Sequence, residues 1–353
     1  MIRPQQGMEK PYGKGRADQD GGLGGHEIED KERWSFALPH PHRVAVVSRH
    51  FPITTRYWMI MDHGLPILDP SSASASEADG SIASAKLASL KEAVAPRVKE
   101  GVLVAFSGGM DSAFLLWAAR QVMREKGGRV VALTTTSAST PSRDKEDAIA
   151  FTELLGVEHI WEESREMSRP EYLRNDRERC YHCKTELFRI AGEVAKEAGL
   201  RWLLYGYNAS DHTDDRPGHR AAQEVGALTP LSDAGLTKPD IRYLMQEAGL
   251  PLSGKPASPC LSSRIMTGIE ITPDNLRDVE ALEAVLRNAG VSTLRVRICR
   301  DEQDSRFLRV EVPPDEMEKV LSCRIELQRE GTERGYRWVT LDLGGYRTGG
   351  GVS

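Results

Sequence analysis

Several things are scarce or missing in this 353-residue chain, and each shortage narrows what it can be. No apolar run reaches the roughly 18 residues that a membrane-spanning helix needs, so no span is expected. The start, Met1-Ile2-Arg3-Pro4-Gln5-Gln6, lacks the apolar core of a secretory signal, so export is not expected and a cytoplasmic location is. Positive charge is not in surplus: a net charge of −5 supplies no overall field for a polyanion, and a nucleic-acid partner would need a local basic patch. Cysteine is sparse and odd in number, 5 in all, which argues against a disulfide framework and for ligand or redox work in a reducing compartment. No internal repeat is visible. What remains, 39% hydrophobic and 28% charged residues over a length that allows two domains, is ordinary globular composition.

Residues 1–82 are rich in Gly, Pro, Ser, Asp and His, with Gly21-Gly22-Leu23-Gly24-Gly25 and Ser71-Ser72-Ala73-Ser74-Ala75-Ser76 as low-complexity punctuation. So little apolar surface cannot offset the entropy of ordering, and a largely disordered extension is expected, with Phe51 to Leu68 as a short ordered or docking piece. From Ile82 a helical period takes over, carried by Leu87, Leu90, Ala93 and Val98. Strands at Val102, Val130 to Thr135, His159 to Trp161 and Trp202 to Tyr205 then alternate with helices at Ala113 to Glu125, Lys145 to Leu155 and Glu186 to Ala198. Continuous apolar strands separated by helices predict an α/β, doubly wound parallel sheet over residues 83–272, with ligands at the carboxyl ends of its strands. The pattern changes after Thr272-Pro273. A helix over Asp274 to Asn288, strands over Thr293 to Ile298 and Phe307 to Val312, a helix over Pro314 to Leu327 and a strand over Arg337 to Leu341 predict a small α+β module at 273–353. That module and the closing Gly344-Gly345-Tyr346-Arg347 are available for homo-oligomer assembly.

The densest signal is Val102-Leu103-Val104-Ala105-Phe106-Ser107-Gly108-Gly109-Met110-Asp111-Ser112, an apolar strand closing in a hydroxyl- and glycine-rich turn that reopens as an amphipathic helix. Two glycines allow a sharp turn and a close ligand approach, while free amides at the helix start and the Ser107 and Ser112 hydroxyls would face phosphate oxygens. No Lys follows the glycines as in GxxxxGK[ST], and the spacing does not fit GxGxxG, so neither a Walker ATPase nor a Rossmann dehydrogenase is indicated.

A second constellation is thiol-based. Arg179-Cys180-Tyr181-His182-Cys183-Lys184 sets two thiols three residues apart beside basic side chains that favour thiolate, and Cys260 follows in Lys255-Pro256-Ala257-Ser258-Pro259-Cys260-Leu261-Ser262-Ser263-Arg264. Three ligands with one open corner suit an iron–sulfur cluster able to bind an extra sulfur, whereas a closed zinc site would need His182 as fourth ligand in strained local geometry. Taken alone, the CxxC also fits a thioredoxin-like redox pair. Cys299 and Cys323 fall at apolar-periodic positions and are expected as buried core thiols.

The string Ser107 to Ser112 resembles the PP-loop of the N-type ATP pyrophosphatases. Further matches at Gly206-Tyr207-Asn208-Ala209-Ser210-Asp211, Asp214 to Gly218, Leu228 to Leu231, Ala234 to Lys238, Lys255 to Arg264 and Leu341 to Gly349 narrow this to a resemblance to the LarE family of ATP-dependent sulfur transferases, running from about Ile82 to Gly350. The resemblance implies a PP-loop, adenine nucleotide alpha hydrolase-like fold, ATP and Mg²⁺, and a small-molecule partner: adenylation of a carboxylate of a pyridinium biscarboxylate mononucleotide, then exchange of oxygen for sulfur in nickel-pincer cofactor biosynthesis. It gives Ser107, Gly108, Gly109, Asp111 and Ser112 the pyrophosphate side of ATP, Thr134 and Ser137 the adenosine side, and Arg216 and Arg264 the substrate phosphate or carboxylate. Asp211 and Asp215 would assist with Mg²⁺ or orient the arginines. Cys180 matches the position at which some members give up their own sulfur, while Cys180, Cys183 and Cys260 together look like the variants holding a 4Fe-4S cluster, the reading preferred here. Met110 replaces a more usual Val, and Thr267-Gly268 stands where a Tyr-Gly pair is expected. The rivals are a tRNA thiolase, which would add zinc-binding cysteine pairs or a basic RNA module, an amidating ligase of the NAD or GMP synthetase sort, which would not need the three thiols, and a non-enzymatic nucleotide or metal sensor.

Overall fold

The apolar stretches pair edge to edge in the computed structural model, which describes residues 77–213 and 217–347. Most of the extension expected over 1–82 therefore lies outside the described residues. Strands β1 (Val102–Ala105), β2 (Val130–Thr136), β3 (Glu158–Glu163) and β4 (Trp202–Tyr205) form one sheet in the order β3-β2-β1-β4 with every pairing parallel. This is the doubly wound arrangement, and its strand order reverses beside β1: the chain moves from β1 to β2 and β3, then crosses back to β4 on the other flank.

Side chains alternate across a strand, so both faces of β1 need cover. Val102, Val104 and Phe106 share one core with α1 (Glu77–Glu100), α2 (Met110–Lys126) and α3 (Ser142–Leu155). Leu103 and Leu203 are also buried, and the helix that packs on β1 and β4 after α4 (Pro170–Leu173) is α5 (Arg179–Ala198). Each fully buried Val or Leu contributes about 1.5–3 kcal/mol, which fixes the register of a four-residue strand firmly. Helix α1 starts ahead of Ile82, and its buried stripe is Ala83, Leu90, Val94 and Val98; Ala93 is exposed, because positions four apart track one face. The largest departure is α5, expected from Glu186 but beginning at Arg179, so that Cys180 and Cys183 stand on its first turn. Short helices α6 (Pro217–Glu224) and α7 (Pro230–Asp233) follow, then α8 (Lys238–Glu247), started by a Thr237–Asp240 capping box.

Beyond Thr272, which caps α9 (Pro273–Asn288), strands β5 (Arg295–Arg300) and β6 (Arg306–Glu311) pair antiparallel, and β7 (Val339–Leu341) joins β6 in parallel. The single helix expected over Pro314 to Leu327 is a 3-10 turn, α10 (Met317–Ser322) and α11 (Arg324–Glu333), broken at Cys323. Cys299 is buried on β5, whereas Cys323 is only half-buried, its Sγ turned back to the Val320 carbonyl at 3.4 Å. The core here takes in Tyr172, Leu261, Ile265, Ile269 and Ile271 from the chain before Thr272, and the Met266 amide donates to the Ile298 carbonyl at 2.9 Å. Past β7, Tyr346 is pinned by its amide to the Val312 carbonyl (3.0 Å).

Candidate active site

The turn between β1 and α2 sits at the carboxyl end of the central strand, where the strand order reverses. Gly108 has φ +72, and a Cβ there would stand 2.8 Å from the Asp144 carbonyl of α3, so only glycine fits. Gly109 caps α2 in extended conformation with no side-chain cap, leaving first-turn amides and the positive end of the helix dipole for an anion. Ser107 and Ser112 brace each other: the Ser107 amide donates to Ser112 Oγ at 3.2 Å, the hydroxyls lie 3.2 Å apart, and Ser112 Oγ donates to the Gly109 carbonyl at 3.0 Å. Ser107 is exposed and Asp111 half-buried on the first turn. Gly206, after β4, presses on this turn so closely that a Cβ would lie 2.9 Å from the Ser112 amide nitrogen. Asn208 and Asp211 then close a buried turn: Asp211 Oδ2 accepts from the Asn208 amide (3.2 Å) and side chain (2.9 Å), and Lys238 Nζ lies 3.4 Å from its Oδ1.

Lys255 is the long-range member that sequence inspection left unassigned. Its ammonium donates to the Gly108 carbonyl at 3.0 Å and pairs with Asp144 at 2.8 Å and Asp147 at 2.6 Å. Asp144 also accepts from Ser258 Oγ at 2.9 Å, and the Leu261 amide reaches the Ser139 carbonyl at 2.8 Å, so the segment carrying Cys260 is stitched to the turns after β1 and β2.

The thiols gather one layer away. Cys180 and Cys183, three apart on a helix, face the same way. Asn175, in the left-handed region at φ 53, donates to the carbonyls of Ile265, Met266 and Ile269 at 3.2, 3.0 and 3.0 Å and accepts from Arg179 at 2.6 Å. Arg179 donates as well to the Ser262 carbonyl (2.9 Å) and approaches Cys180 Sγ at 3.8 Å, which brings the start of α5 against the Cys260 segment. Burial pushes the Cys183 thiol up to about 12, with Lys184 opposing and Cys260, Glu166 and Cys180 adding to the rise. Burial also works against the Lys184 ammonium, yet Tyr205 and the thiols of Cys183, Cys180 and Cys260 hold it above the ordinary lysine value. Burial, then Cys260 and Cys183, raises the Tyr172 phenol, which meets Ser262 Oγ at 2.6 Å. Among the described residues no group of three or more His, Cys, Asp or Glu is arranged to hold a single metal ion, His182 included.

The remaining expected residues are dispersed. Thr134 is buried inside the sheet, its hydroxyl donating to the Phe106 carbonyl at 2.7 Å and meeting His159 Nε2 at 2.8 Å. Ser137 lies past β2 and pairs with Ser139 at 2.9 Å. Arg264 is 2% exposed: Nε bonds Glu283 at 2.9 Å, and NH1 donates to the carbonyls of Pro259 and Cys260. Arg216 and Asp215 lie outside the described residues.

The NAD synthase family model matches residues 82–171, a span that holds the glycine turn and ends before Cys180. An uncharacterised protein of Synechocystis sp. is 36% identical over 249 residues, 70% of this chain and 90% of that protein. The pyridinium-3,5-bisthiocarboxylic acid mononucleotide synthase of Lactiplantibacillus plantarum is 33% identical over 267 residues, 75% of this chain and 94% of that enzyme. An uncharacterised protein of Methanocaldococcus jannaschii is 29% identical over 176 residues, covering 50% and 67%.

Proposed function

The chain belongs to the LarE family of pyridinium-3,5-bisthiocarboxylic acid mononucleotide synthases, and from that premise we propose how its own residues divide the work of an ATP-dependent sulfur transferase. The substrate is a carboxylate of pyridinium-3,5-biscarboxylic acid mononucleotide; ATP with Mg²⁺ adenylates it, and sulfur then replaces the activated oxygen. A free carboxylate resists attack, whereas AMP leaves readily from an acyl adenylate, so activation must precede sulfur entry. The observation that carries this reading is the linkage of one anion-binding turn to one thiol group through Lys255 and Cys260, with Gly206 and Tyr205 forming the other side.

Ser107, Gly108, Gly109 and Ser112 hold the pyrophosphate portion on backbone amides and hydroxyls, and Asp111 at the helix start serves the Mg²⁺-bound phosphates. Thr134 supports the turn from below through the Phe106 carbonyl, and Ser137 borders the adenosine side. Arg264 works through the backbone of Pro259 and Cys260, setting the third thiol rather than reaching substrate. Residues 83–272 form the nucleotide and sulfur portion and 273–353 the smaller module, with Tyr172, Leu261, Ile265, Ile269 and Ile271 of the first packed into the core of the second.

The donor chemistry suits a 4Fe-4S cluster: three thiols with no carboxylate among them, flanked by Arg179 and Lys184, would serve as thiolate ligands. When bound, such a cluster would supply an added sulfide without consuming the chain. Cys180, Cys183 and Cys260 would hold it, and the Asn175–Arg179–Ser262 bonds keep their two segments together.

Anaerobic purification with iron and sulfide analysis, then intact mass after turnover, tests the reading. AMP and pyrophosphate are the expected products, with iron bound and the mass unchanged. Loss of ~34 Da would assign sulfur donation to Cys180 by elimination to dehydroalanine, and ADP release would overturn the adenylating assignment altogether.

A further inference from the structure

Lys184 enters the division of labour above only as a charge flanking the thiols, and its surroundings are unusual for a lysine. It stands four residues after Cys180 and one after Cys183 on α5, the spacing that puts all three on one face. Its stem is closed in by α6, where a Cβ on Gly218 would meet Lys184 Cγ at 2.9 Å. Its ammonium lies 5.0 Å from the centre of the Tyr205 ring at the carboxyl end of β4, the residue is half-buried, and among the described residues no carboxylate pairs with it. Burial disfavours this cation, but its neighbours hold it above the ordinary lysine value, so it stays charged and, with no carboxylate paired to it, can receive an anion. Arg179, whose guanidinium is 3.8 Å from Cys180 Sγ, supplies a second positive group at the same thiol. The aromatic face of Tyr205 accommodates the cation without neutralising it, so its charge remains available to a ligand.

We propose that Lys184, with Arg179, binds the sulfur nucleophile as an anion, hydrosulfide, beside Cys180. The inference rests on the sulfur-transfer reading and adds the residue that selects the sulfur species. Water is abundant and neutral, hydrosulfide dilute and negative; two cations beside the thiol favour the second by charge, which protects the acyl adenylate from hydrolysis. The step balances without an oxidant or reductant. The hydrosulfide lone pair forms the C–S bond to the acyl carbon, the C–O bond to AMP breaks with its electron pair leaving on the phosphate oxygen, and the S–H proton passes to solvent to give the thiocarboxylate.

Two measurements test this. With Lys184→Met, KM for sulfide should rise tenfold or more without a parallel rise in KM for ATP, and Lys184→Arg should recover most of the loss. An unchanged KM for sulfide, or an equal rise for both, would overturn the assignment, while absence of AMP formation in the wild type would instead remove the sulfur-transfer reading. The second measurement needs no turnover and begins with the wild-type chain prepared without iron. The ratio of Cys180 alkylation by iodoacetate to that by iodoacetamide, followed by mass spectrometry, should exceed the ratio for free cysteine fivefold or more, because only iodoacetate is an anion. A ratio equal to that of free cysteine would contradict the proposal even if Lys184→Met failed to fold.

Discussion

Single side chains at this site act by charge and by space, and the two were unequally legible. Gly108 could be read from the sequence because a local string of glycines has a local cause. Gly108→Ala should destabilise by at least ~2 kcal/mol, from φ +72 strain and the collision with the Asp144 carbonyl, and raise KM for ATP; thermal denaturation and initial rates measure both. Lys255 could not be read so, since the carbonyl it holds is 147 positions away and nothing near Lys255 announces it. Lys255→Met leaves Asp144 and Asp147 facing each other without their cation, and a loss on the order of 2–3 kcal/mol in urea unfolding is expected, with weaker ATP binding. For Arg264 the sequence shows an arginine beside serines but not its partner, which is decided by α9, the helix that brings Glu283 to it.

At the scale of elements, the strands were recovered almost to the residue because continuous apolar runs have few alternatives, while helix starts were harder. Helix α5 begins seven residues earlier than periodicity suggested, its start held by Arg179, which bonds Asn175 and the Ser262 carbonyl, contacts that apolar periodicity does not register. Strand β3 carries an element-scale device in His159. Its Nε2 meets Thr134 Oγ1, whose hydrogen goes to the Phe106 carbonyl, and its Nδ1 meets Thr152 Oγ1 at 2.9 Å. Burial lowers its pKa from 6.5 to about 4. Above 6.5 the ring is neutral folded or unfolded and contributes no pH dependence; as pH falls from 6.5 toward 4 the unfolded chain takes the proton first. Stability should therefore decline over that interval, by on the order of 2–3 kcal/mol in total, and level off for this group below it. Urea midpoints across pH 4 to 7 check the slope, and His159→Gln should flatten it.

For the molecule as a whole, the doubly wound sheet and the smaller mixed sheet were both legible from element order, but the seam between their cores was not. Periodicity marks which residues are apolar without saying which core receives them, so the contribution of Tyr172, Leu261 and Ile265 to the smaller module emerges only in three dimensions. The seam holds a buried ion-pair network in which Glu283, 0% exposed, takes both Arg264, 2% exposed, and Arg287 at 2.6 Å. Arg264→Met leaves Glu283 with Arg287 alone and should cost on the order of 2–3 kcal/mol, part of which adding Glu283→Leu should return, measured by chemical denaturation. Among the described residues no helix is long and apolar enough to cross a membrane.

Lys255 and Cys260 are five residues apart in one strand of chain, and the first is anchored to the Gly108 carbonyl. A tether of that length spans at most roughly 16–18 Å even when drawn taut. On the proposed reading the Cys260 thiol stays within that reach of the glycine turn, and no swinging arm or ferrying subunit is required between them.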